Sequence, residues 1–169
     1  MANDHGKGPS TVRRMRRLAL AFLIAAVPLA PAFAETEALD FVRKGVQSHG
    51  PDDSRWGAVA VDRDELRRLW DRYEQKGRPP RVRFRTRVAA LAGTGGSSTC
   101  PLRLHDLRLN RERKRILFRV YEHVPEPGGG CTDDWVPRTF TVTVARSDLK
   151  PLRPNELRVR IRHIADPNP

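Results

Sequence analysis

Residues 93–100 read GTGGSSTC, a run of glycines and hydroxyl side chains ending in one of the chain's two cysteines. Three chemistries would use such a stretch. A phosphate cradle needs G-x-x-x-x-G-K-[ST] between a parallel strand and a helix, so that backbone N–H groups and a lysine face the phosphates. Here there is no lysine, and a strand pattern follows instead of a helix. A cysteine nucleophile needs a neighbouring base and a lowered pKa; His105 and His123, on adjacent strand candidates, are the histidines that could approach Cys100. Ser97 and Ser98 sit in no G-x-S-x-G elbow. Asp133 and Asp134 beside Cys131 fall short of a metal site, and no carboxylate pair has convincing spacing for acid–base work. The third chemistry is a disulfide between Cys100 and Cys131.

The amino terminus favours the disulfide. Arg13, Arg14, Arg16 and Arg17 precede the apolar run LALAFLIAAVPLAPAFA, which Pro28 and Pro31 interrupt and which ends in Ala32-Phe33-Ala34 before Glu35. A basic cluster, a short apolar core and an A-x-A cut make a secretory signal peptide over residues 1–34, with Met1 or Met15 as the start. The expected address is therefore secreted or periplasmic, with no membrane span after cleavage. In an oxidising compartment two lone cysteines pair, and a loop of this length contributes about 3 to 4 kcal/mol in the chain-entropy model.

Charge is the second source of chemistry. The chain carries 32 basic and 20 acidic residues; removing five and one with the leader leaves a mature net charge of +8. A secreted cation of this kind meets anionic envelope polymers. Arg81, Arg83, Arg85 and Arg87 alternate with Val82, Phe84 and Val88, and Arg158, Arg160 and Arg162 alternate with Leu157, Val159 and Ile161. If those two strands pair, the seven arginines form one anion-binding face. Without interleaved aromatics, that face lacks the stacking platform of specific nucleic-acid binders.

These residues need elements to hold them. Residues 35–55 read as a helical or extended lead-in and a loop, and WGAVAV (56–61) as a strand. Asp62 and Glu65 have capping-box spacing, and Leu66, Leu69, Trp70 and Tyr73 make one apolar helical stripe that Gly77 and Pro79-Pro80 end. Period-2 strands follow at 81–91, 102–109, 116–124, 139–145 and 157–162. In LRLHDLRL the leucines change phase, so a β-bulge at His105-Asp106 is needed to bring Leu102, Leu104, Leu107 and Leu109 to one side. The prediction is an α+β domain over 56–165, built as a β-dominated antiparallel sheet or small barrel or sandwich with one amphipathic helix packed on it. Residues 166–169 read as a frayed tail.

From residue 62 to about 150, the chain resembles the carboxyl-terminal domain of a treponemal lipoprotein that stabilises a surface protease complex. The likeness runs through LRRLWDRY, VRF, VAALAGTGGSSTCPLRLHDLRL, ILFRVYEHVPEPGGGC and WVPRTFTVTVARSDL. Gly95-Gly96 match the family's glycines and Cys131 its loop cysteine, whereas Cys100 stands where many relatives have an aromatic residue. The resemblance implies a non-enzymatic, β-rich module that binds or stabilises another extracytoplasmic protein, with no cofactor and no catalytic residues. The tethered glycine loops then supply the partner-binding surface: Thr94, Gly95, Gly96, Ser97, Ser98 and Gly129. An anion-binding envelope protein is the alternative, and a small hydrolase using His105 or His123 the third reading.

Overall fold

The computed structural model describes residues 36–51, 55–125 and 129–167; the signal peptide and its cleavage residues Ala32, Ala34 and Glu35 lie outside them. Nine elements follow in chain order: β1 (Glu37–Ala38), β2 (Phe41–Gln47), β3 (Trp56–Ala60), α1 (Arg63–Arg72), β4 (Arg87–Gly96), β5 (Leu102–Asn110), β6 (Arg115–Glu122), β7 (Val136–Ala145) and β8 (Arg158–His163). A single 3-10 turn, Pro154–Glu156, precedes β8. The strands form two four-stranded sheets, ordered β1-β5-β6-β8 and β2-β7-β4-β3. The fold is thus β-dominated with one helix, as the alternation predicts. One pairing is different in kind: β8 lies parallel to β6, because the chain visits the other sheet through β7 before returning.

Alternation explains the core. Ile116, Phe118 and Val120 of β6 meet Phe140, Val142 and Val144 of β7 across the gap between the sheets, all essentially closed to solvent. The expected bulge is present. Register slips between Leu104 and Asp106 against β6, so Leu102, Leu104, Leu107 and Leu109 all enter the core. The lead-in belongs to the fold as well. Leu39 is buried and Phe41 packs on the same core, so the folded body begins ahead of residue 56. Sequence pattern misses β2 because its register shifts between Arg43 and Gly45, which breaks the period.

Contacts span both open sides of the sandwich. Where β2 faces β5, Arg43 Nη2 donates to the Leu104 carbonyl at 3.1 Å. Where β3 faces β8, Gly57 removes the side chain that would separate them: a Cβ there would lie 2.6 Å from Val159 Cβ and 3.0 Å from its carbonyl oxygen. The tail is tied down too. Ile164 N–H bonds the Val120 carbonyl at 2.8 Å, and Asp166 lies 3.9 Å from His123 Nδ1.

Helix α1 starts as its sequence requires. Asp62 accepts from Glu65 N–H at 2.7 Å, and the Glu65 carboxylate accepts from Val61 N–H at 2.8 Å. Its end differs from expectation. Tyr73 is the C-cap, Glu74 takes the left-handed conformation at φ 53°, and Gln75 N–H bonds the Trp70 carbonyl at 2.9 Å. That is a Schellman ending with glutamate where glycine is usual, three residues before Gly77. Leu66, Leu69 and Trp70 bury against Ala60, Ala89 and Leu91 on the outer face of β3 and β4, and each leucine contributes about 1.5–3 kcal/mol. Val82 and Phe84 join this cluster from an irregular segment. Residues 81–86 therefore form no strand; a turn with Thr86 N–H on the Arg83 carbonyl at 3.0 Å delivers the chain to β4 at Arg87.

Candidate functional site

The glycine run is strand, which corrects the reading of Thr94, Gly95 and Gly96 as loop. All three lie on β4 and are buried, and Gly96 pairs with Val136 at the end of the ladder. The physical reason is aromatic. A Cβ on Gly93 would lie 2.0 Å from Trp56 Nε1, and one on Gly95 2.1 Å from Trp135 Cε2. The two glycines are a track on which indole rings lie. Trp56 is also stacked on Tyr73, with ring centroids 3.6 Å apart and planes 5° from parallel. Trp135 has no such cover and stays 44% exposed.

Beyond Gly96 the hydroxyls satisfy one another. Ser97 is 5% exposed; its Oγ lies 2.9 Å from Thr132 Oγ1 and 3.0 Å from Thr99 Oγ1. Thr99 Oγ1 accepts Thr132 N–H at 2.9 Å. Asp134 accepts Ser98 N–H at 3.1 Å and the Thr132 hydroxyl. These bonds, with the Ser98 side chain foremost, hold the Asp134 carboxyl down to about 2. Cys100 and Cys131 are bonded, with Cα atoms 5.4 Å apart. The disulfide removes the thiolate that the nucleophile reading needs at Cys100. Of the six residues proposed as the partner-binding loop, only Ser98 and Gly129 are exposed.

The arginines regroup. Arg87 turns its guanidinium onto Thr143, at 3.0 Å to Oγ1 and 2.8 Å to the carbonyl. Arg83 and Arg85 are exposed on the connecting segment, and Arg81 lines a groove beside α1. Arg158, Arg160 and Arg162 lie on β8, which pairs with β6 in the other sheet and not with β4, so the proposed seven-arginine ladder does not assemble. A different one does. In register, Arg158 sits beside Arg115, Arg160 beside Leu117 and Arg162 beside Arg119; β5 adds Arg108 beside Leu117 and Arg103 beside Tyr121.

This is the outer face of the β1-β5-β6-β8 sheet, and among the described residues no other element packs on it. Among the described residues of β5, β6 and β8, seven arginines share it with one acid, Asp106, which pairs with Arg108 at 3.0 Å and Arg119 at 3.3 Å. Arg115 keeps a buried Nε with no acceptor. His105 projects from the bulge, edge-on to Tyr121 with centroids 6.3 Å apart. Like charges side by side on neighbouring strands oppose folding, so the Arg115–Arg158 row works against the sheet that carries it. The alternation of ILFRVYEHV already places Arg119 on a polar face with Leu117 and Tyr121; what sequence does not reveal is that β8 becomes its neighbour.

At the disulfide end of the gap between the sheets, His163 Nε2 lies 3.3 Å from Thr94 Oγ1. Burial, and secondarily the Arg55 charge, push its pKa below the usual imidazole value, with Glu122 opposing. Among the described residues no three His, Cys, Asp or Glu side chains converge to hold a metal, and no helix is long and apolar enough to cross a membrane. In comparisons with known proteins, no family model, no curated protein and no solved structure matches the chain.

Proposed function

We propose that this protein is an extracytoplasmic, non-enzymatic binding module whose working surface is the bare arginine sheet face, and that its ligand is a phosphate-bearing polymer of the cell envelope. The observation that carries this reading is the pair of in-register arginine rows, Arg115–Arg158 and Arg119–Arg162, on an outer sheet face against which no other element packs among the described residues. Folding alone does not favour such rows; a polyanion repays them. Guanidinium forks suit phosphate oxygens, and successive arginines on one strand face stand about 6.6 Å apart. Among the described strand residues of the face, Tyr121 and His105 supply the aromatic rings, too little stacking surface for base readout. The test is a salt titration of binding to long-chain inorganic polyphosphate. Four to six engaged arginines give a log–log slope of about −3 to −4 at about −0.7 per charge. A slope near zero, or equal binding to a neutral polymer, would remove the proposal.

A second reading rests on Trp135. An indole laid on a glycine, beside a disulfide and 44% exposed, has the form of a rigid hot-spot anchor for a protein partner, in line with the protease-complex-stabilising resemblance. A photocrosslinking residue at Ser98 should then trap one defined protein in the native envelope, and the trap should fail in Trp135→Ala; an unchanged crosslink in that variant would end this reading.

A further inference from the structure

We infer that the protein carries a second anion site on its opposite side and therefore bridges two polyanion chains. The inference rests on the polyanion reading of the arginine sheet face. The site is a groove of about 720 Å³ between the first turns of α1 and the connecting segment that follows it. Arg63 and Arg67, one helical turn apart, form one wall; Arg78 and Arg81 flank the rigid Pro79-Pro80 pair on the other; Leu66 and Phe84 lie on its floor. Among the described residues Arg67 pairs with Asp64 alone, at 3.6 Å and with both side chains largely in solvent, a pair that neutralises little. Asp62 is spent on capping the helix. Among the described residues Arg63, Arg78 and Arg81 have no ion-pair partner, leaving a concave cluster of guanidiniums in need of oxyanions.

Its position gives the cluster a role. The helix covers the outer face of the β2-β7-β4-β3 sheet, while the arginine rows occupy the outer face of the other sheet. Two sheet layers, spaced about 10 Å apart, separate the two basic surfaces. One polymer strand cannot lie flat on both, whereas two strands can be held by one molecule. Bivalent attachment of this kind crosslinks a polymer without any new contact.

The test uses the whole chain with two probes. Tripolyphosphate, too short to span the molecule, reports the number of sites by calorimetry; long-chain polyphosphate reports bridging by light scattering. The wild type should bind two equivalents of tripolyphosphate, and Arg78→Gln/Arg81→Gln one. That variant should still retard the long polymer on a gel yet no longer raise its scattering. Both arginines are exposed, and an unchanged unfolding midpoint confirms the fold. If the groove variant scatters like the wild type, the bridge is refuted and the sheet-face reading stands. If instead Arg160→Gln/Arg162→Gln binds and scatters like the wild type while the groove variant binds nothing, the sheet-face reading falls, and the bridge with it.

Discussion

Replacing Arg158 and Arg162 by glutamate should make the protein more stable and a worse binder. Each substitution turns a neighbouring like-charge pair, with Arg115 or Arg119, into an opposite-charge pair. Unit charges at the spacing of neighbouring strands, about 4.8 Å, repel by about 0.9 kcal/mol in a water-like medium, and a neighbouring-strand ion pair contributes about 0.2–1 kcal/mol. The gain beside Arg119 is the smaller, since Asp106 already lies 3.3 Å from it. Together the two changes should add about 1 to 2 kcal/mol after solvent screening, a rise in Tm of about 4 to 8 °C for a domain of this size. The same double variant should reduce the salt slope for polyphosphate by at least about 1.4, the loss of two engaged charges. Differential scanning calorimetry and fluorescence titration on one preparation measure both. A lower Tm with unchanged binding would show that the rows serve the fold, and the reasoning from like-charge rows to function would be wrong.

Three further outcomes bear on the scaffold. Gly57→Ala places a methyl 2.6 Å from Val159 against a backbone that cannot yield, and should cost about 2 to 3 kcal/mol by urea unfolding; Gly130→Ala, with nothing within 4 Å, should stay within about 0.5 kcal/mol. Equal effects would refute the close approach of β3 and β8. Replacing Cys100 and Cys131 by serine opens a span of 31 residues and should lower stability by about 3 to 4 kcal/mol; a loss below 1 kcal/mol would mean that the hydroxyl cluster alone holds the loops. Asp134 has a folded pKa of about 2 against an ordinary 3.8, so its contribution is full above about pH 4 and disappears as pH falls through 2. The Tm difference between wild type and Asp134→Asn should close over that window; a constant difference would refute the assigned bonds.

What the sequence discloses and what it conceals divide along a physical line. The capping pair at Asp62 and Glu65 and the helical stripe are local, and the bulge at His105-Asp106 follows from a phase slip that four leucines make visible. The Cys100–Cys131 bond needs only a compartment and a count. Non-local facts are concealed. RVRFRTRV alternates as cleanly as any strand here, yet Val82 and Phe84 are claimed by the helix cluster, and alternation cannot name the body that buries a residue. GTGG looks like a loop because glycine disfavours strands; its reason is the rings of Trp56 and Trp135, one distant in sequence and the other beyond the second cysteine. The arginine face escaped because pairing partners, unlike periods, are written nowhere in a single strand: β8 follows β7 but neighbours β6.

The two flanks of the sandwich would matter if, as proposed, many copies share a polymer. A polyanion that gathers this protein raises its local concentration along a line and lays neighbours side by side, the arrangement in which unpaired strand edges recruit one another into fibrils. Arg43, spanning to the Leu104 carbonyl, and Gly57, drawing β8 against β3, narrow the routes by which such stacking begins, while the exposed Val42 and Val46 leave the β2 edge as the one to watch.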